Sequence, residues 1–154
     1  MRDDRFETKK NVKVLVAHKI SSTRSSFQDV LRGLGFEVEG CDAPKDVLSR
    51  LEVEEMDWVV MPIAKDDPVN AFHILEILSS TRQRLNVRVS LIVDEEEKKY
   101  LPLAFELGTM CWFPAGLSKD ALAQEMKKTF DKFQRYDYDP VLLSADLLRG
   151  LMLQ

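Results

Sequence analysis

Five times over, this chain sets a short apolar run beside a longer amphipathic one, and few folds accept that rhythm. Val12-Lys13-Val14-Leu15-Val16-Ala17 is rich in β-branched residues and predicts a strand. Ser21 to Leu34 places Phe27, Val30, Leu31 and Leu34 on one helical stripe, and Gly35 suits the left-handed residue that ends a helix. Phe36 to Cys41 alternates as a second strand, and Asp42 to Glu52 carries Val47, Leu48 and Leu51 on one helix face. Asp57 to Pro62 is the third strand; Trp58 to Met61 is continuously apolar, as expected for a strand buried on both faces. Ala71, Ile74, Leu75 and Leu78 mark the third helix, and Val87 to Val93 the fourth strand. Asp94 heads a helix whose Glu95, Glu96 and Glu97 meet the positive end of the helix dipole; it runs to Leu107 and stops at Gly108. Met110 to Phe113 is the fifth strand, and Ser118 opens a long helix with Leu122, Met126, Phe130 and Phe133 inward. Strands and helices joined by short loops predict an α/β domain, a doubly wound parallel sheet of order 2-1-3-4-5 covered on both faces.

Composition narrows the classes. The 154 residues suffice for one domain with a little left over at each end. A formal net charge of −4 disfavours a bare nucleic-acid-binding module, which needs a basic face. Cys41 and Cys111 stand far apart, in no metal-ligand spacing, and read as buried, reduced thiols of a cytoplasmic protein. No apolar run approaches the roughly 20 residues of a membrane helix. The charged start, Met1 to Lys10, lacks the apolar stretch of a signal peptide. The expected organisation is a flexible tail over 1–10, a domain over 11–136 and a C-terminal helical extension over 137–154.

Two corners carry a family resemblance. Leu31-Arg32-Gly33-Leu34-Gly35-Phe36-Glu37-Val38 resembles the first-helix-to-second-strand corner of the receiver domains of bacterial response regulators. Phe105-Glu106-Leu107-Gly108-Thr109 resembles their fourth-helix-to-fifth-strand corner, and the likeness extends from about Lys13 to Lys132. It implies the flavodoxin-like, receiver-type fold and tells where the family's chemistry would fall. Receivers hold Mg²⁺ with an acidic pair after the first strand; those positions fall on His18 and Lys19, although a hard cation wants carboxylate oxygens. The phosphoacceptor aspartate falls on Pro62, which has neither a nucleophilic oxygen nor a backbone N–H. The hydroxyl residue ending the fourth strand falls on Val93, and the lysine after the fifth falls near Ala115, beside Pro114. With all four roles vacant, the chain resembles a degenerate pseudo-receiver: not an enzyme, with no metal and no cofactor. The family's aromatic switch position falls on Trp112, and its partner-binding face falls around Tyr100, Leu101, Trp112 and Phe113. The implied function is protein–protein interaction or regulation, independent of phosphorylation, in bacterial two-component signal transduction or transcription control.

Other readings compete at particular residues. His18, Lys19, Ser21, Ser22 and Thr23 lie at the carboxyl edge of the sheet, where open α/β folds bind ligands, and could hold a small or nucleotide-like anion. A hydroxyl-rich loop entering a helix is also how flavodoxins cradle the FMN phosphate, but Arg24 stands where that loop has glycine. Helix capping and a polar helix face explain the hydroxyls more simply. Asp66 and Asp67 read as a solvated loop, and His73 as a structural helix residue. Trp112 fits strand packing as well as a partner anchor. No nucleophile–base spacing or glycine-rich phosphate loop points to an enzyme. Beyond the breaker Tyr136-Asp137-Tyr138-Asp139-Pro140, the stripe of Leu143, Leu147, Leu148 and Leu151 predicts a helix. It would pack back on the domain, form a homodimer or partner contact, or lead into a further domain.

Overall fold

The computed structural model describes residues 12–80 and 87–135; the expected tail over 1–10 and extension over 137–154 lie outside the described residues. Strand β1 (Lys13–Ala17) leads into helix α1 (Ser21–Gly33), then β2 (Glu37–Cys41) and α2 (Pro44–Val53). Strand β3 (Trp58–Pro62) is followed by α3 (Ala71–Ser80), and β4 (Arg88–Val93) by a 3₁₀ turn over Glu95–Tyr100 that passes directly into α4 (Leu101–Glu106). Strand β5 (Cys111–Pro114) and helix α5 (Lys119–Arg135) complete the described chain.

All strands pair in parallel, in the order β2-β1-β3-β4-β5, as the sequence rhythm predicts. The sheet buries both faces, because successive side chains on a strand point to opposite sides. Val14, Val16, Trp58, Val60, Ile92 and Phe113 face α1 and α5, where they meet Phe27, Leu31, Leu122 and Met126. Leu15, Ala17, Val59, Met61, Leu91 and Val93 face α2, α3 and α4, against Val47, Ile74, Leu75 and Leu101. Gly35 and Gly108 adopt φ of 96° and 101°, the left-handed conformation the helix ends require.

Three local outcomes differ from the sequence reading. The expected continuous helix from Asp94 to Leu107 begins as a 3₁₀ turn. Pro102 is the reason: it cannot donate to the carbonyl of Lys98, so an α-helical ladder cannot pass through it. The hydroxyls of Ser21, Ser22 and Thr23 lie in the first turn of α1; the capping position is Ile20, which has no side chain able to cap. Of the two thiols, Cys111 is buried as expected, but Cys41, on the edge strand, is half-buried. Burial nonetheless pushes its pKa up to about 11, so it is a poor nucleophile near neutrality. Among the described residues no helix is long and apolar enough to cross a membrane.

One polar chain crosses the middle of the sheet. Trp58 Nε1 donates to Ser90 Oγ at 2.8 Å, and that oxygen lies 3.0 Å from Cys111 Sγ. It ties β3, β4 and β5 through side chains and satisfies groups that would be costly to bury alone. The indole ring also stacks edge-on against Phe36 at 5.9 Å.

Candidate functional site

The carboxyl ends of the strands open into a cleft of about 850 Å³. It forms because chain connections leave this edge in opposite directions, α1 and α5 covering one face and α2, α3 and α4 the other. Of the residues singled out in the sequence, His18, Lys19, Thr23, Pro62 and Ala115 line it. Ser21 and Ser22 do not; Ser22 lines a smaller pocket of about 140 Å³ between α1 and β5. The anion cradle expected from His18, Lys19, Ser21, Ser22 and Thr23 is thus divided, since the helix turns its first two hydroxyls out to solvent. Val93 also stays out of the cleft: at 1% exposure it packs toward α3 and α4, while its neighbour Ile92 reaches the cleft floor.

His18 is fixed by its own loop. Its Nδ1 accepts the Ile20 N–H at 3.1 Å, so the neutral ring carries its proton on Nε2. Burial lowers the imidazole pKa, the neighbouring cations Lys19 and Arg24 add to the effect, and Asp94 opposes it. Arg24 clasps the loops together: its Nη1 donates to the His18 carbonyl at 2.6 Å and to Asp42 Oδ1 at 3.0 Å. Pro62 ends the central strand, the place where a missing N–H least disturbs the ladder. Two residues on, Ala64 holds φ of 52°, a left-handed conformation that costs a non-glycine residue about 1 kcal/mol. It sets up the turn in which the Asp67 N–H donates to the Ala64 carbonyl at 3.0 Å.

The acids of this edge are more numerous than the sequence reading supposed. Asp66 and Asp67, expected in a solvated loop, line the cleft, and so do Asp94 and Glu97. Asp67 Oδ1 accepts the Val69 N–H at 3.0 Å, and Glu97 Oε1 accepts the Asp94 N–H at 3.0 Å, so each keeps one oxygen for the fold. The signal for Asp94 and Glu97 was present, since acids directly after a strand lie at this edge; their helix-capping pattern concealed it. Among the described residues no group of three His, Cys, Asp or Glu side chains is placed to share a metal ion.

The expected partner face divides into two kinds of residue. Leu101 is fully buried and Phe113 is 1% exposed, so neither is available to a partner. Leu101 opens α4 pointing onto the sheet, and strand alternation sends Phe113 inward against Phe27, with ring centroids 6.2 Å apart. Tyr100 and Trp112 remain partly exposed. Lys98 Nζ lies 5.4 Å from the Trp112 ring centroid, and Lys65 and Lys99 each lie 5.4 Å from that of Tyr100. Phe72 packs against Tyr100 at 6.0 Å. His73 is exposed on α3, its N–H donating to Asn70 Oδ1 at 3.2 Å.

No family model matches the sequence, and no curated protein matches it. Solved structures do. A CheY-like response regulator receiver domain protein from Methanospirillum hungatei JF-1 superposes with a TM-score of 0.65 at 14% identity, over 81% of this chain and 98% of its own. A putative response regulator from Chloroflexus aurantiacus J-10-fl gives 0.67 at 13% identity, over 79% of this chain and 99% of its own. The chemotaxis response regulator CheY4 of Vibrio cholerae gives 0.65 at 17% identity, over 77% of this chain and 98% of its own. Likeness at such identities speaks for architecture, and the architecture of this chain is the flavodoxin-like fold of receiver domains.

Proposed function

We propose that this domain is a pseudo-receiver, a regulatory module of signal transduction that works by protein contact and not by phosphorylation. The observation that carries the reading is Pro62 at the carboxyl end of the central strand, in a cleft where His18 and Ala115 take the positions flanking it. Phosphoryl transfer needs an oxygen nucleophile there, and proline has none. Mg²⁺ asks for carboxylates and carbonyls, whereas the first loop offers an imidazole and the ammonium of Lys19. The donors of that loop do not fit the ion that receivers use. Partner contact is assigned to the surface around Tyr100 and Trp112. Partly exposed aromatics ringed by Lys65, Lys98 and Lys99 combine apolar area with positive charge.

Thermal unfolding with and without Mg²⁺ and beryllofluoride, a mimic of phosphorylated aspartate, tests the first half. An unchanged midpoint is expected, and a magnesium-dependent rise would overturn the reading. The second half is tested by comparing the wild type with a Tyr100→Ala, Trp112→Ala double variant in crosslinking. Loss of the same partner band is expected; identical patterns would remove this face from consideration.

A second reading, a small-ligand sensor at the same edge, is favoured by the cleft itself. Its volume of about 850 Å³ lies within the range of small-molecule sites.

A further inference from the structure

Charge is sorted by sign along this cleft. Lys45, at the start of α2, follows β2, and Lys19 follows β1. Asp66 and Asp67 follow β3, and Asp94 and Glu97 follow β4. In the order β2-β1-β3-β4-β5 the walls therefore change sign between β1 and β3, at the topological switch point. The exceptions are already engaged. Asp42, on the cationic side, is paired with Arg24 at 3.0 Å, and Lys65, on the anionic side, lies over the Tyr100 ring. Lys19 and Lys45 form no ion pair among the described residues, and both are exposed.

Between the walls the floor is apolar. Pro62, Ile92 and Ala115 meet there, so the middle of the cleft offers no charge to a ligand. His18 contributes a neutral Nε2–H donor beside them, because its Nδ1 is committed to Ile20. A simple anion would find Lys19 and Lys45 but face four carboxylates across the cleft. A simple cation would meet the reverse. A molecule that carries both charges on a partly apolar frame satisfies both walls and the floor.

We propose that the cleft binds a zwitterion, a free α-amino acid with an apolar side chain. Its carboxylate lies toward Lys19 and Lys45, its ammonium toward Asp66 and Asp94, and its side chain on Pro62, Ile92 and Ala115. The proposal rests on the sensor reading and specifies its ligand.

The test is calorimetric titration of the full chain with three probes: L-leucine, isocaproate, which lacks the ammonium, and isoamylamine, which lacks the carboxylate. Leucine is expected to bind at least tenfold more tightly than either analogue. A Lys19→Met, Lys45→Met double variant and an Asp66→Asn, Asp94→Asn double variant should each weaken leucine about tenfold. All four side chains are exposed, so the fold tolerates the changes, and Asn can still cap a helix at position 94. Isocaproate binding as tightly as leucine would overturn the zwitterion and leave an anion sensor. Undiminished binding in either double variant would also overturn it, by moving the ligand out of this cleft. No binding of any probe at millimolar concentration would overturn both the proposal and the sensor reading.

Discussion

The two ends of the central strand could hardly differ more. Just before β3 stands Asp57, fully buried. Its N–H donates to the Lys13 carbonyl at 2.9 Å, its Oδ2 accepts the Lys13 N–H at 2.9 Å, and its carbonyl accepts the Arg88 N–H at 3.1 Å. At the other end stands Pro62, open to the cleft and without a donor or a carboxylate. Five residue steps separate them, about 17 Å at the rise of a strand. A buried carboxylate holding a backbone donor is a clamp, here fastening the entry of β1 to that of β3. A carboxylate open to a cleft is a reagent. This chain keeps the clamp at the amino edge, and at the carboxyl edge it ends the strand on a proline.

The comparison can be broken most directly at the clamp. Asp57→Ala should cost about 3 kcal/mol in urea unfolding, since it strands a Lys13 N–H beneath the sheet edge. A loss below about 1 kcal/mol would mean that Asp57 is a spectator. At the opposite end, Pro62→Asp alone should leave the protein indifferent to Mg²⁺ and beryllofluoride, because His18 and Lys19 still supply no carboxylate. Adding His18→Asp and Lys19→Asp should create a response of about 2.7 kcal/mol at a hundredfold excess over Kd. A response from Pro62→Asp alone would show that acids already in the cleft can hold the ion. Between the two ends, Ser90→Ala should cost about 1–2 kcal/mol by leaving the buried Trp58 indole N–H without its acceptor. An unchanged urea midpoint would make the side-chain bridge incidental.

The smallest effect concerns pH. Because the fold holds the His18 pKa below its ordinary 6.5, the unfolded chain takes up the proton first as pH falls. Stability is therefore complete above 6.5 and declines from there down to the lowered folded value. A series of urea midpoints should show this shallow slope in the wild type and lose it in His18→Gln. An opposite slope would contradict the half-buried, neutral imidazole.

The sheet was legible in the sequence because its strands are short apolar runs and its helices carry single stripes. Both periodicities are local, and both survive burial on two faces. The place of Pro62 at the end of the third strand was legible for the same reason, since a residue at the end of a recognisable strand has a known place. What escaped was convergence. Leu101 and Phe113 looked like partners of Tyr100 and Trp112 because they adjoin them in sequence, yet helix and strand geometry turn neighbours to opposite sides. Asp94 and Glu97 belonged to a capping pattern and also to a cleft wall, and only the strand order brings that wall opposite Lys19. Pro102 was legible in principle, as a proline inside a helical stripe breaks the ladder whatever surrounds it.

The hydrogen-bonded indole of Trp58 has an optical consequence. The chain contains only two tryptophans, one sealed between β4 and Phe36, the other half-open beneath Lys98. An aqueous quencher would reach Trp112 and spare Trp58. The protein thus carries two built-in lamps, one reporting on its interior and one on its outer face. Occupation of that face could then be followed separately from unfolding, in a single cuvette and without a label.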